Sequence, residues 1–290
     1  MSAECCSQRP AAGPRSSDAV PRGRVLLRRV PGARRLRYYL YWPRRSAPER
    51  PWLVAVHGIS RNARDHARAF AAQAEATGTL VIAPLFEPDA FPDYQRLGRA
   101  GRGARADLAL LDILADVAAL TAQTPAPVNL FGFSGGGQFC QRFTLAHPHR
   151  VHRQVLVAAG WYTLPTQRRA YPLGLRLDAE LPGVEFVPAE FLRVPTCVLV
   201  GALDTQRDEA LRTGRRIDRN QGKHRVARGR RFIARLQRAA ARLGLSTPLE
   251  FATLADCGHD FDACVRRADL VQRTLAFLYT QHLTQVETQS

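Results

Sequence analysis

Lysine is almost absent: Lys223 stands alone among 42 basic residues that are otherwise arginine, and methionine occurs once. Against 25 acidic residues the balance is a net charge of +17, which attracts polyanions without selecting among them. The arginines concentrate in Arg22–Arg50 and Arg207–Arg238. Neither stretch carries a recognisable nucleic-acid motif, so no specific nucleic-acid partner is expected. The chain lacks any run of the roughly 20 apolar residues that a membrane helix needs. Met1–Arg24 has no apolar core segment, which argues against a secretory signal, and none precedes Cys5 and Cys6, which argues against a lipoprotein. A cytoplasmic protein with a disordered basic tail over residues 1–22 is the expectation.

Six cysteines are few for a chain of 290 residues, and their spacing suggests no disulfide framework. Cys140 and Cys197 fall in apolar segments and read as buried thiols. Cys257 and Cys264 bracket His259, but no CxxC pair accompanies them, so neither zinc nor any other cofactor is expected. Gly98, Gly101 and Gly103 follow no strand and have the wrong spacing for a phosphate-binding loop.

What the chain does have is 46% hydrophobic residues, enough for a large core, arranged in alternating patterns. Val25-Leu26-Leu27 and Leu36–Trp42 read as an antiparallel hairpin around Pro31-Gly32. Short apolar runs then alternate with helical stretches: Trp52–Val56, helix 63–76, Leu80–Ala83, helix 104–120, Val128–Phe131, helix 138–146, Val155–Ala158, Cys197–Val200, helix 226–242, Leu249–Leu254, and a last helix over 263–282. Fully apolar strands between amphipathic helices predict a mostly parallel sheet covered on both faces, in one α/β domain over residues 23–290. Two stretches break the alternation. Tyr162–Val194 is rich in proline and aromatics and too long for a plain connection. Gln206–Arg225 is polar and basic. Both follow strand ends, where open α/β sheets build their sites.

Gly132-Phe133-Ser134-Gly135-Gly136 carries the chemistry. It sits between a strand and a helix, where a serine must take a strained conformation and flanking glycines relieve the crowding. Such a serine needs a base, and the base needs an orienting carboxylate. Asp204 lies four residues past Val200, and His259 lies just past the strand ending at Leu254. All three therefore fall at carboxyl ends of strands, in the order serine, acid, histidine. Asp208 and Asp218 are the alternative acids. His57-Gly58-Ile59 follows another strand end, so the Ile59 amide can face that of Gly135 as an oxyanion hole. His57 itself reads as a turn-stabilising side chain.

This arrangement resembles the α/β-hydrolase superfamily from about residue 25 onward. The run His57-Gly58-Ile59-Ser60-Arg61-Asn62, Asp107 in the helix before the elbow, and the pentad around Ser134 are most similar to the polyhydroxyalkanoate depolymerase and feruloyl esterase branch. The resemblance implies a cofactor-free serine hydrolase that cleaves a small-molecule ester through an acyl-enzyme. Ser134, Asp204 and His259 would be catalytic, with Ile59 and Gly135 binding the oxyanion. The chain departs from the branch in Gln206–Arg225, which has no counterpart there. Residues 161–194 are expected to form a lid, with Trp161, Tyr162 and Tyr171 binding substrate. The rival readings are a thioesterase or peptidase using the same groups, a catalytically silent binding protein of the same fold, and a polyanion-binding protein.

Overall fold

A strand that pairs on both edges and is covered on both faces has no use for polar side chains, and three stretches of this chain meet that condition. In a computed structural model that describes residues 20–280 except 34, 125, 178–180 and 182, Leu53–Val56, Val128–Phe133 and Thr196–Gly201 are buried at every position. They are inner strands of an eight-stranded sheet of order β1-β2-β4-β3-β5-β6-β7-β8. Its strands are β1 (Val25–Arg29), β2 (Arg37–Tyr41), β3 (Leu53–Val56), β4 (Val81–Leu85), β5 (Val128–Phe133), β6 (Val151–Val157), β7 (Thr196–Gly201) and β8 (Leu249–Leu254). β1 and β2 pair antiparallel, with Leu27 opposite Tyr39, and β2 runs antiparallel to β4. Every later pairing is parallel. Parallel neighbours need crossovers, and these are α1 (Ala63–Thr77), α2 (Ala106–Thr121), α3 (Gly135–Ala146), a single turn α4 (Pro188–Phe191), α5 (Arg215–Gln221) and α6 (Arg225–Arg242).

The last helix differs from expectation. The stretch read as one helix is two, α7 (Phe261–Arg267) and α8 (Leu270–Leu278). Asp269 between them takes a left-handed backbone at φ 49°. The break lets α7 bury Phe261 and Cys264 while α8 turns to bury Leu270, Val271, Phe277 and Leu278. Residues 281–282 of the expected helix and residues 1–19 of the expected tail lie outside the described residues. Val20 is buried, and Arg22 lies over the Trp42 ring at 4.4 Å. No described helix is long and apolar enough to cross a membrane.

One core residue conflicts with its surroundings. His66 of α1 is fully buried, its ring stacks on Phe261 with centroids 3.9 Å apart, and neither ring nitrogen has a hydrogen-bond partner. Burial, with a smaller contribution from His57, pushes its pKa well below the ordinary value. A depressed histidine stabilises the fold fully above the unfolded-state pKa of about 6.5 and loses that contribution as pH falls below it. His66→Phe keeps the stack and removes two unpaired polar atoms. It should raise the unfolding free energy by about 1 kcal/mol at neutral pH, and its margin over the parent should widen in urea titrations at pH 5. A margin that stays constant with pH would show that His66 is not the group protonated on unfolding.

Candidate active site

The parallel register brings the ends of β3, β5, β7 and β8 to one rim, and the candidate residues stand just past them. Ser134 follows β5 at φ 52° and ψ −112°, a strained conformation for a residue with a side chain. The turn is this tight because α3 starts immediately. A β-carbon on Gly136 would collide with the Val56 carbonyl oxygen of the neighbouring strand, so only glycine lets the elbow close. Past β8, His259 directs Nε2 to Ser134 Oγ at 3.0 Å and Nδ1 to Asp204 Oδ2 at 2.8 Å. Its ring also stacks on Phe133, with centroids 5.3 Å apart. An ionised carboxylate only accepts, so Nδ1 carries the proton and Nε2 is left to accept from the serine hydroxyl.

Asp204 is 2% exposed. It receives a second hydrogen bond, at Oδ1, from Arg225 Nη1 at 3.2 Å. Arg225 is equally buried and also bonds Asp208 through both terminal nitrogens, at 2.6 and 2.9 Å. Hydrogen bonding and charge from Arg225 hold the Asp208 carboxyl below the usual range. Asp208 therefore binds the arginine and not the histidine. Asp218 is likewise engaged elsewhere, with Arg207 and Arg228. Sequence reasoning missed Arg225, since nothing distinguishes it from the other arginines of its helix.

Across the elbow, Ile59 approaches Gly135. Its side chain comes within 3.2 Å of where a Gly135 β-carbon would stand, so the two residues adjoin beside Ser134. His57 holds this turn. Its Nε2 accepts from the Phe86 amide at 3.1 Å and its Nδ1 donates to the Gly58 carbonyl at 2.7 Å. Burial pushes its pKa down to about 4, so at neutral pH it is an uncharged strut. Tyr94 donates to the His57 carbonyl at 2.9 Å, and Arg61 donates to the carbonyls of Phe86 and Phe91. Asp107 is fully buried and binds Arg105 and His147, which ties α2 to the end of α3.

The three aromatic residues expected to bind substrate from a lid are buried. A cavity of about 280 Å³ opens at Ser134, bordered by Ile59, Asn62, Phe133, Ala210, His259 and Asp262 among others, and no described residue of 161–194 lines it. Trp161, Tyr162 and Tyr171 face inward. Tyr162 stacks on Phe232 with centroids 4.1 Å apart, and its amide and carbonyl are both bound by the Gln221 side chain. Tyr171 donates to the Arg96 carbonyl at 2.8 Å. Trp161 is 3% exposed, with Arg142 and Arg212 over its ring at 4.6 and 5.1 Å. Flat apolar side chains found partners in the core, and it is the other insertion, through Ala210, that reaches the cavity. Among the described residues, no group of three or more His, Cys, Asp or Glu could hold a metal ion.

No protein-family model and no curated protein sequence matches this chain. Solved structures do. A poly(aspartic acid) hydrolase from Sphingomonas sp. KT-1 is 25% identical, with a TM-score of 0.69 over 84% of this chain and 94% of its own. A poly(3-hydroxybutyrate) depolymerase from Bordetella parapertussis is 29% identical, with a TM-score of 0.67 over 82% of this chain and 88% of its own. A fluorophosphonate-binding serine hydrolase of Staphylococcus aureus shares the fold at 13% identity, with a TM-score of 0.55 over 88% of this chain and 98% of its own. The strand order and these neighbours give the chain the α/β-hydrolase fold, near the poly(3-hydroxybutyrate) depolymerase.

The site generates one steric prediction. A β-carbon on Gly201 would collide with the carbonyl oxygen of Cys257, two residues before His259, whereas one on Gly258 would meet nothing closer than 4.0 Å. Gly201→Ala should therefore displace the histidine and slow reaction of Ser134 with a fluorophosphonate by about 100-fold. Gly258→Ala, although adjacent to His259, should stay within a few-fold of the parent. Equal rates for all three proteins would show that the loop shifts without moving the ring.

Proposed function

We propose that this hydrolase of the α/β-hydrolase fold cleaves a carboxylic ester through an acyl-enzyme on Ser134. The observation that carries the reading is the unbroken relay Ser134 Oγ–His259–Asp204, with contacts of 3.0 and 2.8 Å. As Ser134 Oγ attacks the ester carbonyl, its proton passes to His259 Nε2. The resulting imidazolium donates from Nδ1 to Asp204. Negative charge on the carbonyl oxygen is met by the amides of Gly135 and Ile59, where losing one donor costs roughly 3 kcal/mol of barrier. Collapse expels the alcohol, which takes the proton from Nε2. Water then attacks the acyl-serine by the same route in reverse, releasing the acid and restoring Ser134.

Arg225 acts on the acid. By occupying Oδ1 of Asp204 it leaves Oδ2 for the histidine and offsets the cost of burying a carboxylate. The neighbour named as a poly(3-hydroxybutyrate) depolymerase favours ester cleavage. The neighbour named as a poly(aspartic acid) hydrolase supports amide cleavage as the second reading, because such a polymer is a polyamide. Matched ester and anilide series separate the two.

Ser134→Ala should abolish fluorophosphonate labelling and lower kcat by about 10⁶, with an unchanged melting curve. Turnover at the parent rate would remove the mechanism. Asp204→Asn should lower kcat by about 10⁴ while the protein stays folded. Asp208→Asn should cost less than about tenfold, since its carboxylate bonds the arginine behind the acid and not the histidine. If the Asp208 variant lost more than the Asp204 variant, the acid would be misassigned.

A further inference from the structure

Two thiols that take no part in this relay lie closer together than unbonded sulfurs rest. Cys257, two residues before His259, and Cys264 of α7 place their Sγ atoms 2.9 Å apart. Non-bonded carbons, which are smaller, settle at about 3.5–4 Å, whereas a disulfide bond spans about 2.0 Å. Both side chains are buried, at 2% and 1% exposure. Their other polar contacts are long: Cys257 Sγ to the Leu254 carbonyl at 3.8 Å, and Cys264 Sγ to the Gly258 carbonyl at 3.7 Å. Among the described residues, no third His, Cys, Asp or Glu joins them in a metal-binding group. Pairing with each other is the chemistry their placement serves.

We propose that Cys257 and Cys264 are a disulfide-forming pair that staples the loop carrying His259 to α7. The oxidant is a small-molecule disulfide of the oxidised-glutathione class. One cysteine thiolate attacks it, forming a mixed disulfide and expelling one small thiol. The second cysteine thiolate then displaces the other. Two electrons pass to the oxidant, and the two cysteine protons finish on the released thiols. Burial raises the pKa of Cys264, so exchange belongs to folding or to local opening of α7, and the closed fold then shields the bond.

The bond would span a segment whose ends already bear on the site. The Cys257 carbonyl accepts from the Leu203 amide at 3.0 Å, beside Asp204. Phe261, at the start of α7, packs edge-on against Phe133 with centroids 5.5 Å apart, and Phe133 lies under the His259 ring. A cross-link from Cys257 to Cys264 closes this frame around His259. Cys257 and Cys264 are thus positioning residues, and their effect on turnover rests on the reading of His259 as the base.

The test uses the full chain. After incubation with oxidised glutathione, the protein is denatured in N-ethylmaleimide, digested and examined by mass spectrometry. The expected product is a Cys257–Cys264 species lighter by two hydrogens than the reduced form and abolished by phosphine, with Cys140 and Cys197 alkylated throughout. Full alkylation of Cys257 and Cys264 after oxidation overturns the proposal, whether or not the protein hydrolyses anything. In a second arm, reduction should lower the melting midpoint by about 5 °C and kcat by about two- to tenfold, with KM unchanged. Reoxidation should restore both, and Cys264→Ser should behave like the reduced protein in either condition. A cross-link that forms yet leaves both the melting midpoint and kcat unmoved would overturn the staple.

Discussion

The site depends on one buried carboxylate. Asp204 is almost fully withdrawn from water, and an unpaired charge there would cost several kcal/mol. It is tolerated because its two oxygens are divided between His259 and Arg225. That division joins three elements far apart in the chain: the loop after β7, the loop after β8 and the first turn of α6. Arg225 extends the tie to Asp208. Removing Arg225 would leave the Asp204 carboxylate buried against a neutral imidazole, so the geometry of the histidine and the stability of this corner of the fold are one problem.

The same pairing shows where the arginine excess goes. The stretch Arg207–Arg238 looks like a solvated basic face, yet Arg225 and Arg228 are among the largest fully buried side chains. Arg228 donates to the carbonyls of Gly160, Gly222 and Arg212 as well as to Asp218. A guanidinium offers five donors in a rigid fork, which suits it to collecting loop carbonyls that no strand or helix satisfies. The insertion after β7 is held in this way: α5 is fixed to Tyr162 through Gln221, and the loop ahead of it is fixed to α6 through Arg225 and Arg228. Net charge alone cannot distinguish such internal donors from a polyanion-binding surface.

The sheet was legible because its inner strands are covered on both faces, so burial and apolar sequence coincide in β3, β5 and β7, whereas the edge strand β8 is buried only at its ends. The positions of Ser134, Asp204 and His259 were legible for a related reason: each stands just past an apolar run, and parallel strands deliver their ends to one rim. Long-range polar partnership was not legible. Nothing local marks Arg225 as the partner of Asp204, or Gln221 as the partner of the Tyr162 backbone. The burial of the aromatic residues after β6 was not legible either. Aromatic surface is equally suited to a ligand or to a core, and here Phe232 stacks on Tyr162 and the Arg142 guanidinium covers Trp161. The break between α7 and α8 was hidden too, since Ala268 and Asp269 do not forbid a helix. It is tertiary burial on two different faces that imposes the turn.

The strain at Ser134 shows how these levels are connected. A non-glycine residue at φ 52° and ψ −112° costs on the order of 1–3 kcal/mol, and nothing within the pentad returns it. The offset comes from what the turn permits. α3 can start close enough to β3 that Gly136 rests against the Val56 carbonyl, and α3 goes on to bury Phe139, Cys140, Phe143 and Leu145. Fully burying one large apolar side chain contributes roughly 1.5–3 kcal/mol, so even one of these contacts can balance the strained serine. The turn that exposes the Ser134 hydroxyl to His259 is therefore the same turn that seats α3 on the sheet, and a sequence that relaxed the serine would also have to give up that packing.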